Sequence, residues 1–227
     1  MFDLPLLNLV KVIAIYGGLC GLLYIGTDGF HREAPFLNSV PTFSLTLLTL
    51  TLRVKGTIKL FTFLTFLILA VGVYLYSLQW RNNLQTVCAL FTTAHILYIL
   101  SFTLSMQRLW RGCAVVITIY VIAFLYFCFV DLFWSIPILV LNFSLLLITL
   151  AISLISSGSI WHYGSKRGNV EQQAALLRFL GLLLFMVCAS LFLLNRFGNR
   201  IDRSNYLSTL LFYVGQPLLF IANARAF

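Results

Sequence analysis

Long unbroken apolar runs separated by short polar connections fill most of this chain. A helix needs about 20 apolar residues to cross the hydrocarbon core of a bilayer. The runs over residues 113–130 and 176–194 approach that length and lack the period-two alternation of a barrel strand. Irregular backbone and open sheet edges cannot face lipid, so the pattern predicts membrane-crossing helices. The first span is expected over Leu4–Ile25, with Gly17 and Gly21 in the GxxxG spacing that permits close helix approach. Gly26–Val40 reads as a polar loop carrying Asp28, His31, Arg32 and Glu33. A short second span is expected from Pro41, a residue suited to a first helical turn, to Leu52. Further spans are predicted at Thr57–Leu78, Leu84–Leu104, Cys113–Val130 and Leu132–Ile155, the last two forming a tight hairpin at Asp131. Ser156–Gln173 reads as the longest polar loop, and Ala174–Leu194 and Tyr206–Ala222 complete the series. The expected fold is all-α: a polytopic transmembrane helical bundle of about eight spans, or seven if the second does not cross. It forms one membrane-embedded domain over residues 1–227, and eight spans place both termini on the same side.

Composition narrows the partners. The chain is 61% hydrophobic and 9% charged, against roughly 25% charged residues in soluble domains. Fifteen Lys and Arg against six acids give a net charge of +9. Topology and anionic headgroups account for basic residues between apolar runs. No polar segment is long enough to form a soluble nucleic-acid module, so the expected partners are membrane lipids. On eight spans, one side would carry Arg53, Lys55, Lys59, Arg108, Arg111, Lys166, Arg167, Arg178 and Arg225. The other would carry Arg32, Arg81, Arg196, Arg200 and Arg203. That bias of nine against five, with Lys11 left out, predicts cytoplasmic termini. The first run lacks a basic leader and an A-x-A cleavage site, so it is expected to be a retained span. The five cysteines form no CxxC pair and lie in or beside apolar runs, where Cys behaves as a small hydrophobe.

Soluble-enzyme motifs such as GxSxG, HExxH and the P-loop are missing, and all six acids lie at or between the ends of apolar runs. His31, His95 and His162 are widely separated, so neither a metal site nor a cofactor is expected. What remains is polar residues within spans: Thr92, Thr93, His95, Tyr98, Asn142, Arg178, Asn195, Tyr213 and Gln216. In lipid such side chains turn toward the bundle interior or a wet cavity, where they find partners. Interhelical hydrogen bonding accounts for Thr92 and Asn142. His95 and Arg178 are ionisable and carry more functional weight.

Three stretches extend this reading. The fourth span reads FTTAHILYILSF (Phe91–Phe102), the seventh RFLGLLLFMVCASLFLLNRF (Arg178–Phe197) and the eighth SNYLSTLLFYVGQ (Ser204–Gln216). The His–x–x–Tyr, the R-x-x-G-x-x-x-F, the Asn–Arg–Phe and the Tyr–x–x–Gln, in that order, resemble the YhhN family of eight-span membrane proteins. The resemblance covers effectively the whole length. It implies lysoplasmalogenase activity, in which the vinyl-ether bond of a lysoplasmalogen is hydrolysed to a fatty aldehyde and a glycerophospho-base. It also implies the endoplasmic reticulum in a eukaryote and the inner membrane in a bacterium. A vinyl ether is cleaved by protonation of its alkene carbon and water attack on the oxocarbenium ion, steps that a placed acid and carboxylate accelerate. The family supplies two intramembrane aspartates for them, after a Gly in span three and after a Ser in span seven. This chain departs from that pattern: Val73 follows Gly72, and Cys188–Ala189 stands where Ser–Asp is expected. Asn38 likewise stands where the family has a lysine before Pro41.

The resemblance therefore implies a lysoplasmalogenase-like protein of ether-lipid metabolism, lacking both family acids. Its cavity would bind a lysoplasmalogen or related lysophospholipid, lined by His95, Tyr98, Arg178, Asn195, Tyr213 and Gln216, with hydrolysis reduced or lost. An active divergent enzyme with His95 as acid is the alternative on the same resemblance. A small transporter or channel unrelated to the family would call for broken helices or intramembrane charges, of which Pro137 and Pro217 are the nearest signs.

Overall fold

A computed structural model describes residues 6–30, 34–52, 54–78, 84–198 and 203–226, with side chains from residue 10 onward. His31, Arg32, Glu33, Arg53, Arg81 and Arg200 lie outside the described residues. The elements are α1 (Leu6–Gly26), α2 (Pro35–Thr51), α3 (Gly56–Ser77) and α4 (Leu84–Phe102), the last followed by a 3₁₀ turn at Thr103–Ser105. Then come α5 (Arg111–Phe129), α6 (Pro137–Tyr163), α7 (Asn169–Phe197) and α8 (Ser204–Ala226). Six of the eight, α3 to α8, are long and apolar enough to cross a membrane; α1 offers the shorter apolar stretch Val10–Gly26, and α2 has 17 residues. The protein is an all-helical, multi-pass membrane bundle.

Hydrogen bonds between helices define its two ends. Asn223, near the end of α8, reaches Thr62 near the start of α3 and Ser101 at the end of α4. At the opposite end, Asn38 in the first turn of α2 donates to Ser77, the last residue of α3. Odd and even helices therefore run in opposite senses. The first end, with the 103–110 and 164–168 connections, is end A, and the other is end B. Many large apolar side chains, among them Ile25, Val116, Tyr126 and Leu141, are exposed, as a lipid-facing surface requires.

Several boundaries differ from the pattern read along the chain. Helix α2 opens at Pro35, and Pro41 lies buried inside it. Pro35 takes the first-turn position that suits a fixed φ, and the polar Asn38 is tolerated because Ser77 accepts its amide at 2.9 Å. Thr42, Thr46 and Thr49 are buried on α2 while Phe36, Phe43, Leu47 and Leu50 are exposed, so polar residues face inward. The expected Ser156–Gln173 loop shrinks to residues 164–168, because α6 continues to Tyr163 and α7 starts at Asn169. Within α6, Ser153, Ser157 and Ser159 return their hydroxyls to Thr149, Leu154 and Ile155 carbonyls, which hides their polarity inside the helix. Beside them Gly158 leaves space for the Phe179 ring, which would stand 3.1 Å from a Cβ there.

Helix α7 packs along α8 more extensively than any other pair. A Cβ on Gly181 would stand 3.2 Å from the Gly215 carbonyl oxygen, and one on Gly215 would stand 3.3 Å from the Gly181 oxygen and 2.9 Å from the Phe185 ring. These two glycines bring the backbones together, as small residues do between membrane helices. The GxxxG pair of α1 does not act this way: nothing lies within 4 Å of a Cβ on Gly17 or Gly21. Helices α5 and α6 pack together, but α6 opens at Pro137 instead of Leu132, so the expected tight hairpin is a connection over residues 130–136, with Asp131 exposed in it and Trp134 at 88% exposure beside it. A tryptophan there suits a membrane interface.

Candidate functional site

Helix α8 carries the buried polar groups around which the others converge. Pro217 has no N–H, so the Tyr213 carbonyl one turn earlier loses its helical partner. Tyr16 of α1 donates its hydroxyl to that carbonyl at 2.8 Å and lies 3.3 Å from Gln216 Oε1. Thr42 of α2 donates to the same Oε1 at 2.9 Å. Tyr213 in turn donates to the Asn38 carbonyl at 2.6 Å. Tyr213 and Gln216 thus tie α1 and α2 to α8. Gln216 Nε2 is buried without a hydrogen-bond partner.

Nearer end A, Tyr98 donates to the Leu219 carbonyl at 3.1 Å and lies within electrostatic reach of Arg178. Arg178 is fully buried. Its Nη2 donates to Asn223 Oδ1 at 3.0 Å, and its guanidinium carbon lies 4.3 Å from the centre of the Phe102 ring. The Asn223 amide donates onward to Thr62 at 2.9 Å. Nε and Nη1 of Arg178 have no partner. Counting Arg178 among the basic residues of a connection is therefore corrected: it sits inside the bundle, nine residues into α7. The bias between the two sides falls to eight against five.

His95 lies one turn before Tyr98 but faces a different environment. Its ring meets the Phe185 ring edge-on at 5.1 Å, and its Nδ1 is unpartnered. Phe185 meets Phe212 at 5.3 Å, Phe212 stacks on Phe91 at 5.8 Å, and the Phe91 ring would stand 2.5 Å from a Cβ on Gly72. Aromatic rings therefore fill the space beside the position where the resemblance expects the first acid. Val73 is buried there, and Ala189 is partly buried one turn beyond Phe185. Tyr76 and Phe192, each three residues further along, touch edge-on at 5.9 Å. Asn195 is not brought to these clusters: it sits half-buried near end B, donating to Asn205 at 2.8 Å.

Sequence reasoning passed over Tyr16, Asn223 and Glu171. Glu171 is buried near the start of α7, accepting hydrogen bonds from Ser105 at 2.6 Å and from Ser165, with Arg167 at 3.8 Å. It staples the 3₁₀ turn after α4 to the α6–α7 connection, where Met106 and Ser165 also form an isolated β-bridge. It falls in the stretch expected to be the longest polar loop, and its partner Ser105 stands 66 residues away. At end B an open groove of about 560 Å³ is lined by Tyr24, Ile25, Asp28, Gly29 and Tyr206. Among the described residues no group of three His, Cys, Asp or Glu could hold a metal ion.

The site offers hydrogen-bond donors and one buried cation, with aromatic packing where acids would be needed for proton transfer. The YhhN family model matches residues 34–223, from the residue before α2 into the last turns of α8. No curated protein and no solved structure matches the chain.

Proposed function

This chain belongs to the YhhN family, and from that premise we propose that it is a lysoplasmalogenase-like protein that binds an ether lysolipid between its helices, with vinyl-ether hydrolysis reduced or lost. The observation that carries this reading is the ring-filled space beside Gly72, together with Val73 and Ala189 at the two positions where the resemblance expects acids. Neither Val73 nor Ala189 can give or take a proton. Removing one member of an acid–base pair typically lowers a rate by about 10²–10⁴, so the absence of both removes most of the family chemistry. The buried polar groups of α4, α7 and α8 persist beside it, and they support retained binding. The eight-against-five basic bias supports cytoplasmic termini, in the endoplasmic reticulum of a eukaryote or the inner membrane of a bacterium.

Purified protein incubated with lysoplasmenylcholine is expected to release no fatty aldehyde above background, while native mass spectrometry detects bound lipid. Aldehyde release at the rate of an active family member would sink this reading in favour of a divergent hydrolase. Restoring both acids as Val73→Asp with Ala189→Asp is the sharper test. Gain of hydrolysis would show that the site geometry survives and only the chemistry has gone.

A further inference from the structure

We propose that the open groove at end B seats the quaternary-ammonium headgroup of a choline phospholipid against Tyr24, Asp28 and Tyr206, with an acyl chain laid along α1. The proposal goes beyond the lysolipid reading and stands without it. Room and access are both present. The groove holds about 560 Å³ between the end of α1 and the first turn of α8, a size typical of ligand clefts. Of its lining, Asp28 is exposed, and Tyr24, Ile25 and Tyr206 are 47%, 78% and 38% exposed. The lining offers one carboxylate, two phenol rings and no basic side chain. Aromatic rings attract a quaternary ammonium through their negative faces, and a carboxylate adds its full charge. Among the described residues the ion pair is Arg167 with Glu171, and no Lys or Arg pairs with Asp28. The groove also adjoins the C-terminal end of α1, the negative end of its dipole. A cation is therefore favoured there, and an anionic headgroup meets no counter-charge in the lining.

The turn that ends α1 builds this lining. Asp28, Gly29 and Phe30 are all left-handed, with φ of 51°, 70° and 66°, an uncommon conformation for a residue as bulky as Phe. Two bonds hold it: Gly29 N–H donates to the Tyr24 carbonyl at 2.9 Å, and Phe30 N–H donates to the buried Thr27 hydroxyl at 3.1 Å. The Phe30 ring then meets Tyr24 at 5.5 Å, Tyr206 at 5.9 Å and Tyr213 at 6.1 Å, which ties the tyrosine of α1 to those of α8. A lipid fits this place better than a soluble cation. Ile25 of the lining shares one face of α1 with Gly18, Gly21 and Leu22, by their three-, four- and seven-residue spacing. Nothing lies within 4 Å of a Cβ on Gly18 or Gly21. No helix of the bundle covers those glycines, so they leave a track for an acyl chain running from the groove toward the bilayer centre.

The test presents the purified full chain with equal amounts of phosphatidylcholine and phosphatidylglycerol of the same acyl chains, and reads bound lipid by native mass spectrometry. Phosphatidylcholine is expected to bind about three- to tenfold more tightly, the scale of a cation–aromatic contact. Asp28→Asn is expected to remove most of that preference, and Asn tolerates the left-handed conformation, so the turn survives. Tyr206→Leu is expected to lower phosphatidylcholine binding alone. Gly21→Leu, which crowds the chain track, is expected to weaken both lipids alike. Equal binding of the two lipids by the unsubstituted protein overturns the proposal, and so does an unchanged preference in Asp28→Asn. Free choline that displaces phosphatidylcholine at equal concentration makes the groove a soluble-cation site and overturns the lipid as its occupant. A dimer that Gly21→Leu splits, with lipid binding unchanged, gives the α1 face to a second copy and overturns the chain track.

Discussion

A single hydroxyl shows how the chain manages proline within a span. Pro217 strips the Tyr213 carbonyl of its helical partner, and Tyr16 replaces it from another helix at 2.8 Å. Leaving a buried carbonyl unpaired costs about 1–3 kcal/mol in protein mutational series, and water is not at hand in a bilayer to soften the loss. Tyr16→Phe is therefore expected to lower stability by that amount with little change in packing volume, read as a drop in the unfolding midpoint in detergent. An unchanged midpoint would mean that another donor takes over the carbonyl. The prediction needs the structure, since Tyr16 and Tyr213 stand 197 residues apart and nothing in the local pattern links them.

At the scale of elements, the α7–α8 contact depends on two glycines whose spacing advertises nothing, because they lie on different helices. Gly181→Val or Gly215→Val places new atoms against a neighbouring carbonyl or the Phe185 ring. Overpacking of this kind costs about 1–3 kcal/mol. Gly17→Val, on an open face, is the internal control and is expected to change stability by less than about 0.5 kcal/mol. Thermal unfolding of the three variants side by side distinguishes these outcomes, and a Gly17 variant as damaged as the other two would refute the assignment. The conspicuous GxxxG motif and the working contact are thus different objects. Helix lengths misled for a related reason. Runs of serine in α6 look like loop on a hydropathy pattern, yet Ser153, Ser157 and Ser159 satisfy themselves on carbonyls within the helix.

For the whole molecule, the order and number of helices were legible, because hydrophobic length is a strong local signal and lipid enforces it. The candidate site was legible in part. Tyr98, Arg178, Tyr213 and Gln216 stand out as polar residues in apolar runs, and the structure shows each engaged inside the bundle. Their grouping into one cluster at Tyr16, Thr42 and Gln216 and another at Arg178, Asn223 and Thr62 was not legible, because it depends on how distant helices face each other. Glu171 escaped notice for the same reason, its burial arising only when two connections at end A close over it.

Both polar clusters close on the last helix, and this bears on how the protein is made. Tyr16, Thr42, Tyr98 and Thr62 all find a partner on α8, so a ribosome must finish synthesis before helices inserted first can settle. Until then, three earlier helices wait with the hydroxyls of Tyr16, Thr42 and Tyr98 lacking these acceptors, the state that insertion chaperones hold and membrane proteases remove. A chain stopped at Arg203 should integrate but be degraded several-fold faster than the full chain in a pulse-chase experiment, and α8 supplied as a separate segment should restore its lifetime. Equal lifetimes would show that the earlier helices mature without waiting for the last.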